Sequence, residues 1–300
     1  MVDTSLRGNT GLPAMEPGQP GDYMKLLSHR GRGFGYAEAT RDAVRAALRS
    51  GINYVEFDTR IAADGVIHAR HGTRIYTHLA MPKVRTLPDA VLAAHGVETL
   101  SEVLGAVAST IHQSQHICID IKDFGFEREH VELVERFGLG EQTIFVSWIP
   151  QALAQIHAIA PKYKLILSYL NLRFLPFGAK LIEAILGDRE IQMLDYVLLG
   201  PRAIDRPLRH TTGFQHALVG RGLSEDYIRL LVSTGGGICV PTWCVCDDLD
   251  AWCTRRSLQQ WVYSANDADS YEKLRLRPAV QVIFSDDPLR VAGQAAPEIV

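Results

Sequence analysis

The sequence predicts an α/β protein folded as a (β/α)8 barrel, and three observations point there. After Tyr23, eight short β-rich runs alternate with helical stretches. The chain has 300 residues, a length at which a barrel can form one domain, with no linker or internal repeat to split it. The glycines after the first run, GRGFG (31–35), do not fit the GxGxxG phosphate loop that a doubly wound open sheet would carry.

The elements follow in order. LLSH (26–29) is the first strand, and residues 40–50 form a helix with Ala43, Val44, Ala47 and Leu48 on one face. NYVEFDTRI (53–61) alternates as a strand, and a helix over 99–107 opens with Thr99 as cap and Glu102 three residues on. HICIDIK (116–122) is a strand and 127–137 a helix. TIFVSW (143–148) precedes a helix opened by Pro150. KLILSYL (164–170) and YVLLG (196–200) supply the fifth and sixth strands, followed by helices over 179–186 and around 224–231. GICVPTWCV (237–245) is the seventh, ahead of a helix over 248–262 that carries Trp252 and Trp261. AVQVIFSD (279–286) is the eighth, with Asp287-Pro288 capping a last helix. Residues 1–23, rich in Gly and Pro and without a signal-peptide core, are expected to be a flexible leader, leaving 24–300 as a single domain.

Hydrophobic residues are 47% and charged residues 22%, which excludes wholesale disorder. A net charge of -3 provides no broad footprint for nucleic acid. The stretch from Leu165 to Leu186 is interrupted by Asn171, Arg173, Pro176 and Lys180, so no stable membrane anchor is expected. Five cysteines without CxxC spacing point to reduced thiols and a cytoplasmic location, with Cys244, Cys246 and Cys253 as packing residues.

In such a barrel, chemistry collects where strands end. The first strand ends in His29-Arg30. Glu56 and Asp58 lie two apart on one strand face, as do Asp120 and Lys122. After an Asp64-Gly65 turn the chain returns to His71; His68, three residues earlier, faces the other way. Val55, Phe57, Ile119 and Ile121 take the opposite face, so the charges point inward, where unpaired charge is costly. Three crowded carboxylates ask for a hard divalent cation, Mg²⁺ or Ca²⁺. With two His, an Arg and a Lys beside it, such an ion suits phosphodiester chemistry on a small-molecule substrate.

These residues resemble the glycerophosphodiester phosphodiesterase family. The resemblance runs through SHRG (28–31), EFD (56–58), the DG turn with His71, ETLSEVL (98–104), FVSW (145–148), PTWCV (241–245) and FSDDP (284–288). It implies a TIM barrel of the phospholipase C-like phosphodiesterase type that cleaves glycerophosphodiesters to an alcohol and glycerol 3-phosphate, a step in lipid metabolism. By position, it implies His29 and His71 as the acid–base pair and Glu56, Asp58 and Asp120 as metal ligands. Arg30 and Lys122 would hold phosphate, and Trp243 would wall the pocket.

Departures are also visible. AEAT (37–40) stands for the family's PENT, Gly72 follows the second histidine in place of Asp, Asp120 stands for Glu, and WCVC (243–246) for WTVN. Asp120 resembles the related sphingomyelinase D-like barrels, which keeps open a phospholipase D-type reaction releasing a cyclic phosphate. A third reading is a non-catalytic barrel that binds a sugar phosphate. The segment 72–96, with Arg74, Tyr76, His78, Lys83 and Arg85, is expected to cover the site as a loop.

Overall fold

The structure, a computed structural model, describes residues 25–76, 81–168 and 225–293. Nine strands appear among them: β1 (Lys25–Ser28), β2 (Tyr54–Ile61), β3 (Ile67–Ala69), β4 (His116–Ile121), β5 (Thr143–Ser147), β6 (Lys164–Ser168), β7 (Gly237–Pro241), β8 (Gln259–Tyr263) and β9 (Val280–Ser285). All but β3 pair in parallel, and the ring closes where β1 meets both β9 and β2. β3 is a short antiparallel partner of β2. The protein is a closed eight-stranded parallel barrel. The helices are α1 (Arg41–Arg49), α2 (Asp89–Ala94), α3 (Leu100–Ala108), α4 (Glu127–Arg136), α5 (Pro150–Ile159), α6 (Glu225–Ser233), α7 (Asp247–Arg255), α8 (Ala268–Arg275) and α9 (Pro288–Val291).

Alternation along each strand divides the core in two. Val55, Phe57, Ile117, Ile119 and Ile121 face outward and pack with helix residues such as Val44, Leu48, Leu104 and Val107. The other face fills the barrel with Leu27, Tyr54, Cys118, Ile144, Val146, Ile166, Cys239, Trp261, Val282 and Phe284. Each fully buried large apolar side chain contributes about 1.5–3 kcal/mol. Local signals agree with the packing. Thr40 accepts from the Ala43 amide at the start of α1, and Thr99 with Glu102 forms a complete capping box on α3.

Eight strands form the ring, but not the eight expected. YVLLG (196–200) and the helix over 179–186 lie outside the described residues, as do residues 1–23. The ring is completed by Gln259–Tyr263, which the sequence reading runs into a helix over 248–262. α7 stops at Arg255, where Ser257 turns the chain with φ 56°. Trp261 therefore lies on a strand inside the barrel rather than on a helix outside it. GICVP becomes the sixth strand around the ring. The described part of the segment 72–96 is not a bare loop: its Ile75, Val84 and Leu92 build a small core with Ala62 and Val97.

Candidate active site

Strand register assembles the site at the C-terminal end of the barrel. Asp58 and Asp120 are direct partners across β2 and β4, so their carboxylates stand side by side. Glu56 lies one inward position below Asp58. Oxygens of all three come within 4.8 Å of one another, and the side chains are nearly inaccessible, at 1%, 1% and 7% exposure. Ser28 pairs with both Val55 and Ser285, which sets the next residue, His29, between Glu56 and Asp286.

That turn is built by backbone geometry. Arg30 and Gly31 are both left-handed, at φ 57° and 66°. A Cβ on Gly31 would sit 3.2 Å from Ala43, so the HRG glycine answers both the turn and the close approach of α1. The turn aims the Arg30 amide at Glu56 Oε2, 3.0 Å away.

His29 Nδ1 lies 2.7 Å from Asp286 Oδ1, and its Nε2 lies 3.9 Å from Glu56 Oε2. Arg30 Nε stands 3.2 Å from Asp58 Oδ2. Lys122 Nζ bridges Asp120 Oδ2 at 2.6 Å and Asp58 Oδ1 at 3.0 Å, with the Trp148 ring 5.9 Å away. His71 lies within electrostatic reach of Asp58, Lys122 and Arg30. Its main-chain carbonyl accepts from Arg60 Nε at 3.0 Å, and Arg60 pairs with buried Asp123 at 3.0 Å. Trp243 follows β7 in a 3-10 turn at the same end and is 42% exposed.

The electrostatics follow from burial and crowding. Burial, then repulsion from Asp58 and Asp120, pushes the Glu56 carboxyl well above its ordinary range. Burial also raises Asp120, against the pull of Lys122. For Asp58 burial pushes up, but Lys122, His71 and Arg30 outweigh it and hold the carboxyl below its usual range. Burial lowers Lys122, yet Asp120 and Asp58 more than reverse this and keep it protonated. Burial pushes the His71 imidazole down to about 3, with Asp58 opposing and Lys122 and Arg30 assisting.

A divalent cation fits this donor set. Asp58 Oδ2 and Asp120 Oδ1 are buried and accept no hydrogen bond, and an all-oxygen triad is hard-cation chemistry. A buried carboxylate cluster balanced only in part by Lys122 and Arg30 is costly to keep without further positive charge.

A sequence model described as the glycerophosphoryl diester phosphodiesterase family matches residues 29–170, the stretch that carries His29, His71 and the carboxylate triad. Over these residues the chain carries the sequence pattern of that family. No curated protein matches the sequence. Among solved structures, this chain is similar to a glycerophosphodiester phosphodiesterase from Parabacteroides distasonis (15% identity, TM-score 0.64, covering 91% of this chain and 97% of that one). It is also similar to a Thermotoga maritima glycerophosphodiester phosphodiesterase (18%, TM-score 0.56, 88% and 95%). A third is an Oleispira antarctica phosphodiesterase in complex with the product sn-glycerol-3-phosphate (15%, TM-score 0.59, 90% and 95%). At these identities the likeness establishes the shared barrel.

Sequence reasoning missed four residues that the structure brings to this candidate site: Arg32, Arg60, Asn266 and Asp286. Asp286 is the polar end of FSDD, a signal masked by the neighbouring Asp287-Pro288, which reads as a helix cap. Asp287 takes the cap position of α9 without a side-chain hydrogen bond. His68 is buried and points away from the site toward Asp89, 3.3 Å off. In the covering segment, Arg74 donates to the Met81 carbonyl, and His78 lies outside the described residues.

Proposed function

We propose that this chain hydrolyses glycerophosphodiesters to an alcohol and glycerol 3-phosphate, using His29 and His71 as the proton-transferring pair. The observation that carries the reading is the buried Glu56–Asp58–Asp120 triad directly beside His29, at the end of the barrel where catalytic groups collect. Glu56, Asp58 and Asp120 would hold a divalent cation, Mg²⁺ or Ca²⁺. When bound, the ion supplies Lewis-acid stabilisation of charge on the phosphoryl oxygens.

The chain's own residues do the remainder. Arg30 and Lys122 sit at the triad and orient the anionic phosphodiester, Lys122 through its ammonium and Arg30 through its planar guanidinium. One imidazole takes a proton from the attacking oxygen and the other returns one to the departing alkoxide. Lys122 offsets negative charge developing at phosphorus. Trp243, exposed at the mouth, is the residue proposed to wall the substrate pocket.

Phosphorus NMR of the purified protein with a panel of glycerophosphodiesters and lysophospholipids tests the reading, with Mg²⁺, with Ca²⁺ and with chelator. A phosphomonoester signal that vanishes with chelator supports it. A cyclic phosphate signal moves the protein to the phospholipase D-type reaction. No turnover of any diester, with or without ion, overturns it in favour of a binding barrel.

A further inference from the structure

The seam that closes the barrel carries a second acidic residue that the phosphodiesterase reading does not use. Asp286 Oδ1 lies 2.7 Å from His29 Nδ1 and 3.0 Å from Arg32 Nη1, while Oδ2 accepts from Asn266 Nδ2 at 2.9 Å. Asn266 returns the contact through its other end, Oδ1 accepting from the Asp286 amide at 2.8 Å. A side-chain amide used at both ends has one workable orientation, because only its NH₂ can face a carboxylate. Arg32 is held in turn by Glu38. Asp286 is thus fixed by a clamp from the β8–α8 loop and a strut from the β1 loop.

We propose that Asp286 is a positioning residue that selects the reactive nitrogen of His29. An ionised carboxylate accepts hydrogen bonds and donates none, so the imidazole nitrogen facing it must carry the proton. With Nδ1–H committed to Asp286, Nε2 is the nitrogen left for the reaction. Nε2 is also the atom turned toward the carboxylate triad, 3.9 Å from Glu56 Oε2. Asn266 and Arg32 act one step further out, keeping the carboxylate in register with the ring. The catalytic contribution of this device rests on the phosphodiesterase reading; the tautomer assignment does not.

Two measurements on the full chain test it. Long-range ¹⁵N–¹H spectra of histidine-labelled protein report the tautomer of each ring, with His29→Gln assigning the signal. The expected result is an Nδ1–H hydrogen-bonded to Asp286 in the wild type, lost or inverted in Asp286→Asn. Steady-state kinetics on the diester that the wild type turns over should then give a kcat for Asp286→Asn roughly 10²–10⁴ lower at similar KM, the scale of losing a histidine-orienting carboxylate. Asp286→Glu should restore part of both the kcat and the spectrum. If Asp286→Asn does not fold, the wild-type tautomer and an Asn266→Ala variant with a broadened His29 signal decide.

An Nε2–H tautomer in the wild type overturns the proposal. So does an Asp286→Asn variant whose kcat falls with the His29 spectrum unchanged, or whose defect lies in KM alone. A wild type that shows the Nδ1–H tautomer but turns over no diester upholds the positioning and counts against the activity.

Discussion

The Lys122 ammonium donates to Asp120 Oδ2 at 2.6 Å, and both side chains are about one-tenth exposed. Lys122 is thus the charge that lets Asp120 and Asp58 occupy adjacent strands. Removing one partner of a buried pair leaves an uncompensated charge, so Lys122→Met should destabilise the fold by about 3 kcal/mol. Urea denaturation without divalent ions measures this. Added Mg²⁺ should recover part of the loss, and an unchanged midpoint would show that Lys122 is not balancing the triad.

His29→Ala and His71→Ala should each lower turnover by about 100- to 10,000-fold, the usual worth of a positioned acid or base. Thermal midpoints should stay near the wild type, because the His29 and His71 side chains are each only partly buried. Substantial activity in both variants would remove them from the mechanism.

Asp120→Asn separates metal binding from folding. The amide keeps the shape of the side chain and relieves repulsion with Asp58 and Glu56, which burial already strains. Thermal stability without metal should hold or rise. The wild type should gain about 2.7 kcal/mol at a cation concentration 100 times its dissociation constant, and the variant much less at that concentration. Titration calorimetry with Mg²⁺ and Ca²⁺ checks the affinity directly; equal affinities would exclude Asp120 as a ligand.

His130 gives a pH dependence outside the site. It is fully buried, with Nδ1 at 2.7 Å from the Phe126 carbonyl and Nε2 at 2.9 Å from Thr59 Oγ1, and burial lowers it to about 4 from an ordinary 6.5. Between those values the unfolded chain binds a proton that the folded chain refuses, so stability rises with pH. As pH falls from about 6.5 to about 4, this residue should withdraw up to about 3 kcal/mol. His130→Gln should flatten that part of a urea-midpoint profile, and an unchanged slope would refute the assignment.

Much of the barrel was legible in the sequence, because strand alternation and helix periodicity are local. The face bearing Tyr54, Glu56 and Asp58 and the buried stripe of α1 follow from spacing alone. The same spacing put Glu56, Asp58, Asp120 and Lys122 on inward faces before any strand was paired. The eighth strand was lost for a local reason too. The apolar residues of α7 and β8 continue a helical rhythm through 249–262, and the break between them rests on a left-handed Ser257 where no glycine announces it.

Closure was decided by tertiary structure. His29 and Asp286 are 257 residues apart and meet only because β1 pairs with β9. Arg60 reaches the His71 carbonyl because the β2–β3 hairpin folds back beside Asp123. Sequence determined which residues carry charge and which face of a strand or helix they occupy, since both depend on neighbours along the chain. Which charges stand against one another depended on the register and closure of the ring, a long-range property that no local pattern encodes.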